Sequence, residues 1–362
     1  MFYEKESAFL EGTYLISANS ENGFYGYFDK VFSPYTLDKL LIIHGGSGTG
    51  KSSAMRKIAV QLKEEGALVE EIRCSSDPDS LDGVLLHKNE KTVGIVDGTH
   101  PHAHIALLPG LRDEEWDFSR FLDEGALQKE DTHILDLQRQ KKKAYQRAYA
   151  LLAPAAACHR EALRQRGEKF HLEAAALSAR RLLQRLLGEK EARGAAYTPR
   201  FIRAFSMKGE RVLEAWAPKG TRFVEIRGDR YSAECYLSAL VEEAKALSLP
   251  FVPFSSPLCA EALDGLYFPL EHLAIVKHTL APKEKVERTV YATRFLSERR
   301  KGTVTPIQRI EEELKREALL SLEEAASLHF ALEALYSSHM DFEGLSQEVR
   351  AKGDALARFL EK

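Results

Sequence analysis

The chain has 362 residues, 44% apolar and 29% charged, with a formal net charge of −3. That length accommodates two domains with proper cores, and that charge balance gives no bulk reason to expect nucleic acid or a membrane as partner. Its four cysteines (Cys74, Cys158, Cys235, Cys259) stand far apart with no C-x-x-C pair, so neither a disulfide framework nor a cysteine zinc site is indicated. No run approaches the ~18–20 apolar residues of a membrane span. The first residues carry acids and lack an apolar core, so they do not read as a signal peptide. A reducing cytoplasm is the expected location.

Residues 15–33 are aromatic and turn-rich, with Asn22-Gly23 as a tight-turn signal. Leu40–Ile43 then reads as a short buried strand. It runs into Gly45-Gly46-Ser47-Gly48-Thr49-Gly50-Lys51-Ser52, which fits G-x-x-x-x-G-K-[ST]. Ala54, Met55, Ile58, Ala59 and Leu62 follow on one face of a helix that ends at Gly66. Strand, glycine loop and helix in that order form a phosphate-binding loop. The glycines permit the tight turn, and backbone N–H groups are aimed at phosphate oxygens from the positive end of the helix. Residues Gly45 to Ser53 are therefore expected to cradle a nucleoside triphosphate, ATP. Lys51 would reach its β- and γ-phosphates, and Ser52 would ligate Mg²⁺.

Leu68–Cys74 reads as a second strand, and Thr92–Val96 as a buried strand ending in Asp97. Strand, helix, strand, loop and strand predict an α/β fold with a mostly parallel sheet wrapped by helices. Asp97 lies 46 positions after Lys51 and suits the Walker B carboxylate that supports Mg²⁺. Gly98, not Glu, follows it, so the water-activating glutamate of motor-type ATPases is absent at that place. Between the strands, Asp77, Asp79 and Asp82 either orient an acceptor hydroxyl or Mg²⁺, as in kinase-type folds, or form a solvated turn. In His100-Pro101-His102-Ala103-His104, His102 is expected to face the phosphate pocket beside Thr99, with the other two histidines solvated. A zinc site on these three imidazoles is the lesser reading.

The second half repeats the order of the first. Ile275-Val276-Lys277-His278-Thr279 lies 180 positions after Ile95-Val96-Asp97-Gly98-Thr99, and Leu263-Asp264-Gly265 echoes Leu81-Asp82-Gly83. Phe223–Gly228 stands where the phosphate-loop strand does. The loop after it, Gly228-Asp229-Arg230-Tyr231-Ser232-Ala233, has one glycine and no lysine, and Lys277 replaces Asp97. This half reads as a copy that has lost nucleotide binding. The expected division is 1–110 (phosphate-loop core), 111–197 (helical arm), 198–303 (degenerate core) and 304–362 (C-terminal helical segment).

Residues 133–193 carry 14 basic against 6 acidic residues and predict two long helices with breaks at Pro154 and Gly167. Arg139-Gln140-Lys141-Lys142-Lys143 and Arg180-Arg181 there form a solvated face, a lid on a transferring phosphate, or, last, a nucleic-acid contact. Residues 306–337 predict an amphipathic helix with Ile310, Leu314, Leu328, Leu332 and Leu335 inside.

Taken together, the Asn22-Gly23-Phe24 segment, the phosphate loop, Cys74–Gly83, Asp97–His102 and the late stretch His339–Glu343 resemble an uncharacterised bacterial family of tandem P-loop ATP-binding proteins. The resemblance implies a duplicated P-loop NTPase fold that binds ATP and Mg²⁺. Members of that family usually keep a phosphate loop in the second half too, and this chain departs there. The function expected is a slow or partner-regulated ATPase with one competent site. A small-molecule kinase using Asp77 or Asp79 as base, and a nucleotide-gated switch without turnover, are the alternatives.

Overall fold

The computed structural model describes residues 9–102, 104–188, 196–214, 216–259, 261–297 and 305–362. Residues 189–195 of the expected arm, and the expected boundary at 303/304, lie outside them. The first half runs β1 (Gly12–Tyr14), a hairpin of β2 (Ser17–Ser20) and β3 (Gly23–Gly26), and α1 (Phe28–Val31). It continues with β4 (Lys39–His44), α2 (Lys51–Glu64), β5 (Leu68–Arg73), β6 (Leu81–Lys88), β7 (Lys91–Asp97) and β8 (Asp113–Asp117). Then come α3 (Glu124–Leu127), α4 (Asp131–Gly167) and α5 (Leu172–Leu187). The second half has the hairpin β9 (Arg203–Ser206) and β10 (Gly209–Val212), β11 (Arg222–Arg227) and α6 (Arg230–Ala246). β12 (Val252–Ser255), β13 (Leu263–Phe268), β14 (Leu273–Lys277), β15 (Val286–Tyr291), α7 (Pro306–Ser337) and α8 (Phe342–Glu361) complete it.

The first sheet has the order β1-β5-β6-β7-β4-β8, and the second β12-β13-β14-β11-β15. β7, β4 and β8 are parallel, as are β14, β11 and β15. β6 and β13 run antiparallel to both neighbours, so each sheet is mixed. The strand that the sequence reading did not separate, β6, is the source of that mixture. The two sheets share even their register: Ile43 pairs with Asp97 as Ile226 pairs with Lys277. Strand β8 lies past the expected end of the first core at residue 110 yet pairs along β4.

Alternation along the central strands explains the layers. Leu41 and Ile43 face one core with Ala54, Met55 and Ile58 of α2, while Leu40 and Ile42 face another. That second core also holds Phe223, Ala274 and Val276 of the other sheet, so the sheets meet across one apolar layer. The helices after each sheet cross over. Leu345, Val349, Leu356 and Leu360 of α8 close the outer face of the first sheet, and Ala175, Ala179, Leu182 and Leu183 of α5 close that of the second. Burying each such leucine is worth about 1.5–3 kcal/mol. Each sheet therefore depends on a helix from the other half.

Two expectations about the helices need correction. Pro154 does not break the arm: α4 runs unbroken through it to Gly167. The ring stands on the exposed face, where the carbonyl that loses its N–H partner can bond water, while Leu152, Ala155 and Ala156 pack beneath. Helix α7 has the bounds expected, but Ile310 is exposed, and the buried stripe begins at Glu311, Lys315, Ala318 and Leu322. Charged partners from α4 and α6 turn that face inward.

Candidate functional site

Strand β4 delivers the chain to the glycine loop at the edge of a cavity of about 1420 Å³. Gly50, at φ +86°, is the N-cap of α2, and no side chain caps that helix. Its first turn thus opens onto the cavity that Gly46 to Ser53 line. Gly48, at φ +75°, passes so close to α7 that a Cβ there would stand 2.4 Å from the Glu333 carbonyl oxygen. The loop is thereby roofed by the second half's long helix, with Tyr336 over Gly46.

Lys51 is buried, and its Nζ donates to the carbonyls of Gly45 (2.8 Å) and Gly46 (2.7 Å). Asp97 Oδ2 lies 3.7 Å from that ammonium, and Asp97 Oδ1 accepts from the Thr99 N–H at 2.8 Å. The Thr99 hydroxyl donates to Gly45 O and ties the loop to β7. Ser52 Oγ accepts from the Leu81 N–H at 2.9 Å, so the start of β6 abuts the expected Mg²⁺ ligand. That contact places Asp82 beside Asp97. Asp82 is 3% exposed, and one of its carboxylate oxygens has no hydrogen-bond partner among the described residues. Burial raises its carboxyl above the ordinary range against the pull of His102.

His102 lines the cavity as expected, with Nε2 3.5 Å from Asp82 Oδ1 and its ring against Phe24 and Phe28. His100 is exposed. His104 is not solvated: it is buried, 3.7 Å from Asp29, and burial lowers its affinity for a proton. The three imidazoles do not converge, since only His102 joins a potential ligand cluster. Asp77 and Asp79 are brought to the cavity but are both held by Lys208, at 2.7 and 2.5 Å, from the tip of the β9–β10 hairpin. That ammonium keeps the Asp79 carboxyl below its usual range. Of the basic arm, Lys141 and Lys142 reach the cavity, while Arg139 is exposed and Arg180 pairs with Glu243. Burial, with Lys51 close by, pushes the Lys141 ammonium down against the field of Glu333.

Lys208 and the roof of α7 were beyond the sequence reading, and Asp82 was read only as one acid of a loop. Its signal was the recurrence of Leu-Asp-Gly in both halves. No protein-family model, curated protein or solved structure matches this chain. The four cysteines are free, and among the described residues no helix is long and apolar enough to cross a membrane.

Proposed function

We propose that this chain is a Mg²⁺-dependent ATP-binding protein of the P-loop class, a slow or partner-regulated ATPase whose one competent site lies in the first half. The observation that carries the reading is the glycine loop at the uncapped head of α2, with Lys51 and Lys141 both directed into one cavity. Converging cations beside free helix N–H groups fit a polyphosphate. Lys51 would exchange its two carbonyl partners for phosphate oxygens, and Lys141, which lines the same cavity from α4, would add a second positive charge. Ser52 and Asp97 are the residues that would hold Mg²⁺, and the Asp82 oxygen without a hydrogen-bond partner beside them would suit a cation. Bound there, the ion would offset charge that develops on the γ-phosphate. The kinship to tandem P-loop ATP-binding proteins belongs to the same proposal.

The contact of Gly48 with α7 favours one second reading, a nucleotide-gated switch. Phosphates entering the loop would press on Glu333 and Tyr336 and so move the helix that joins the halves. The kinase reading is weaker, since Lys208 engages both acids that would act as base. Incubation with γ-labelled ATP, Mg²⁺ and a cell extract tests all three. Free phosphate supports the ATPase, tight binding without release supports the switch, and label on a small acceptor supports the kinase. Absence of any nucleotide binding would refute the proposal.

A further inference from the structure

We infer that Asp82, Asp97 and His102 form a site for a first-row divalent transition cation, best matched by Mn²⁺, that fills without nucleotide. The three residues come from β6, the end of β7 and the loop after it, and their ligand atoms lie within 4.8 Å of one another. Asp82 lines the cavity, is 97% buried, and keeps one oxygen without a partner, as does buried His102 Nδ1. A buried carboxylate left so is costly unless a cation answers it. The Lys51 ammonium and His102 ease the charge on Asp82 only through their fields, not enough to offset its burial; the near carboxylate of Lys51 is Asp97, and its short bonds go to Gly45 and Gly46.

The second half supplies an independent argument. Asp264 occupies in β13 the place that Asp82 occupies in β6, each being the residue before the glycine that pairs along β14 or β7. There a cation is built into the chain. Lys277, in the register position of Asp97, sets its Nζ 3.1 Å from both Asp264 and Glu234. In the first half that lysine is a carboxylate, an imidazole stands beside it, and no ammonium is built between the two carboxylates as Lys277 is between Asp264 and Glu234, which leaves room for a cation from outside.

The donor set selects the ion. Two carboxylates and one imidazole suit Mn²⁺ and its neighbours, whereas Mg²⁺ and Ca²⁺ favour oxygen alone. Phe24 and Phe28, with ring centroids 5.0 and 4.7 Å from that of His102, hold the imidazole in place. Asp97 is common to this site and to the Mg²⁺ that ATP would bring, but Asp82 and His102 set this one apart and Ser52 the other, and the inference stands without the nucleotide reading.

Mn²⁺ titrated into the metal-stripped, nucleotide-free full chain, with free Mn²⁺ followed by electron paramagnetic resonance, tests it. One Mn²⁺ per chain is expected, resistant to a tenfold excess of Mg²⁺. His102→Gln and Asp82→Asn should each weaken it at least about tenfold without lowering the melting temperature of the metal-free protein. Lys51→Ala should retain the Mn²⁺, so a failure of ATP binding leaves this result untouched. No uptake without nucleotide, or uptake unchanged in both ligand variants, would overturn the site; loss in Lys51→Ala would overturn its independence, and equal competition by Mg²⁺ the choice of ion.

Discussion

The two halves lay a pair of parallel strands side by side in the same register and finish them with opposite charges. In the first, Asp97 ends its strand beside a glycine loop, next to an Asp82 that lacks a full set of partners. In the second, Lys277 ends its strand between Asp264 and Glu234, and Arg203, His159 and Glu311 complete a buried network. The loop of the second half is shorter: only Gly228 and Asp229 separate β11 from α6, and the Asp229 side chain caps that helix. The first half keeps an open cavity at this place; in the second, side chains pair with one another there. The lesson is that an open cavity and a structural ion network can surround the same buried carboxylate.

The contrast can be broken most severely at Asp264. Asp264→Asn should cost about 3–5 kcal/mol, because Lys277 and Arg203 each lose a buried partner. Asp82→Asn, the equivalent change, should instead stabilise the metal-free protein by about 1–3 kcal/mol, since it removes a buried carboxylate that keeps one oxygen without a hydrogen-bond partner and whose burial outweighs the nearby charges. Urea unfolding of both variants reads the two signs, and like signs would contradict the comparison.

A smaller effect lies in pH. Burial disfavours the charged form of His159, but hydrogen bonds to Glu234 (α6) and Glu311 (α7), at 3.2 and 3.3 Å, outweigh it and raise its pKa. Lys277 from β14, and Arg230 with Tyr231 from α6, face the same carboxylates. A raised folded pKa gives stability that is present in full below the ordinary 6.5 and fades as pH climbs through the raised value. Both glutamates are held below their ordinary 4.5 despite burial, so their share is present above 4.5 and fades on acidification. The melting-temperature gap between wild type and His159→Gln should therefore narrow steadily from pH 6 to pH 9. A gap independent of pH would remove the charged histidine from the account. Smallest of all, Arg230→Ala should leave ATP affinity within about twofold; a tenfold drop, ~1.4 kcal/mol, would give the second half a part in binding.

The order of strand β4, glycine loop and helix α2 was legible because its pattern is local: glycines, lysine and serine follow one another on one turn of chain. The repeated strand order was legible for the same reason, since Leu-Asp-Gly and the strands ending at 97 and 277 recur in sequence. What the sequence concealed is long-range. Nothing near residue 208 announces that Lys208 will reach Asp77 and Asp79, nor that α5 and α8 will exchange sheets. Pro154 misled because propensity does not say which face a proline will take, and His104 because its burial depends on the loop folding back toward Asp29 and Asp113. Ile310 misled because the apolar stripe of α7 yields at one end to an ion network supplied by other helices.

Calorimetric titration of ATP with Mg²⁺ into the wild-type chain and into Lys51→Ala tests the central claim most directly. The account predicts one ATP per wild-type chain and an affinity at least about a hundredfold weaker in the variant, a loss of ~2.7 kcal/mol. Equal binding by both proteins, or none by the wild type, would contradict it.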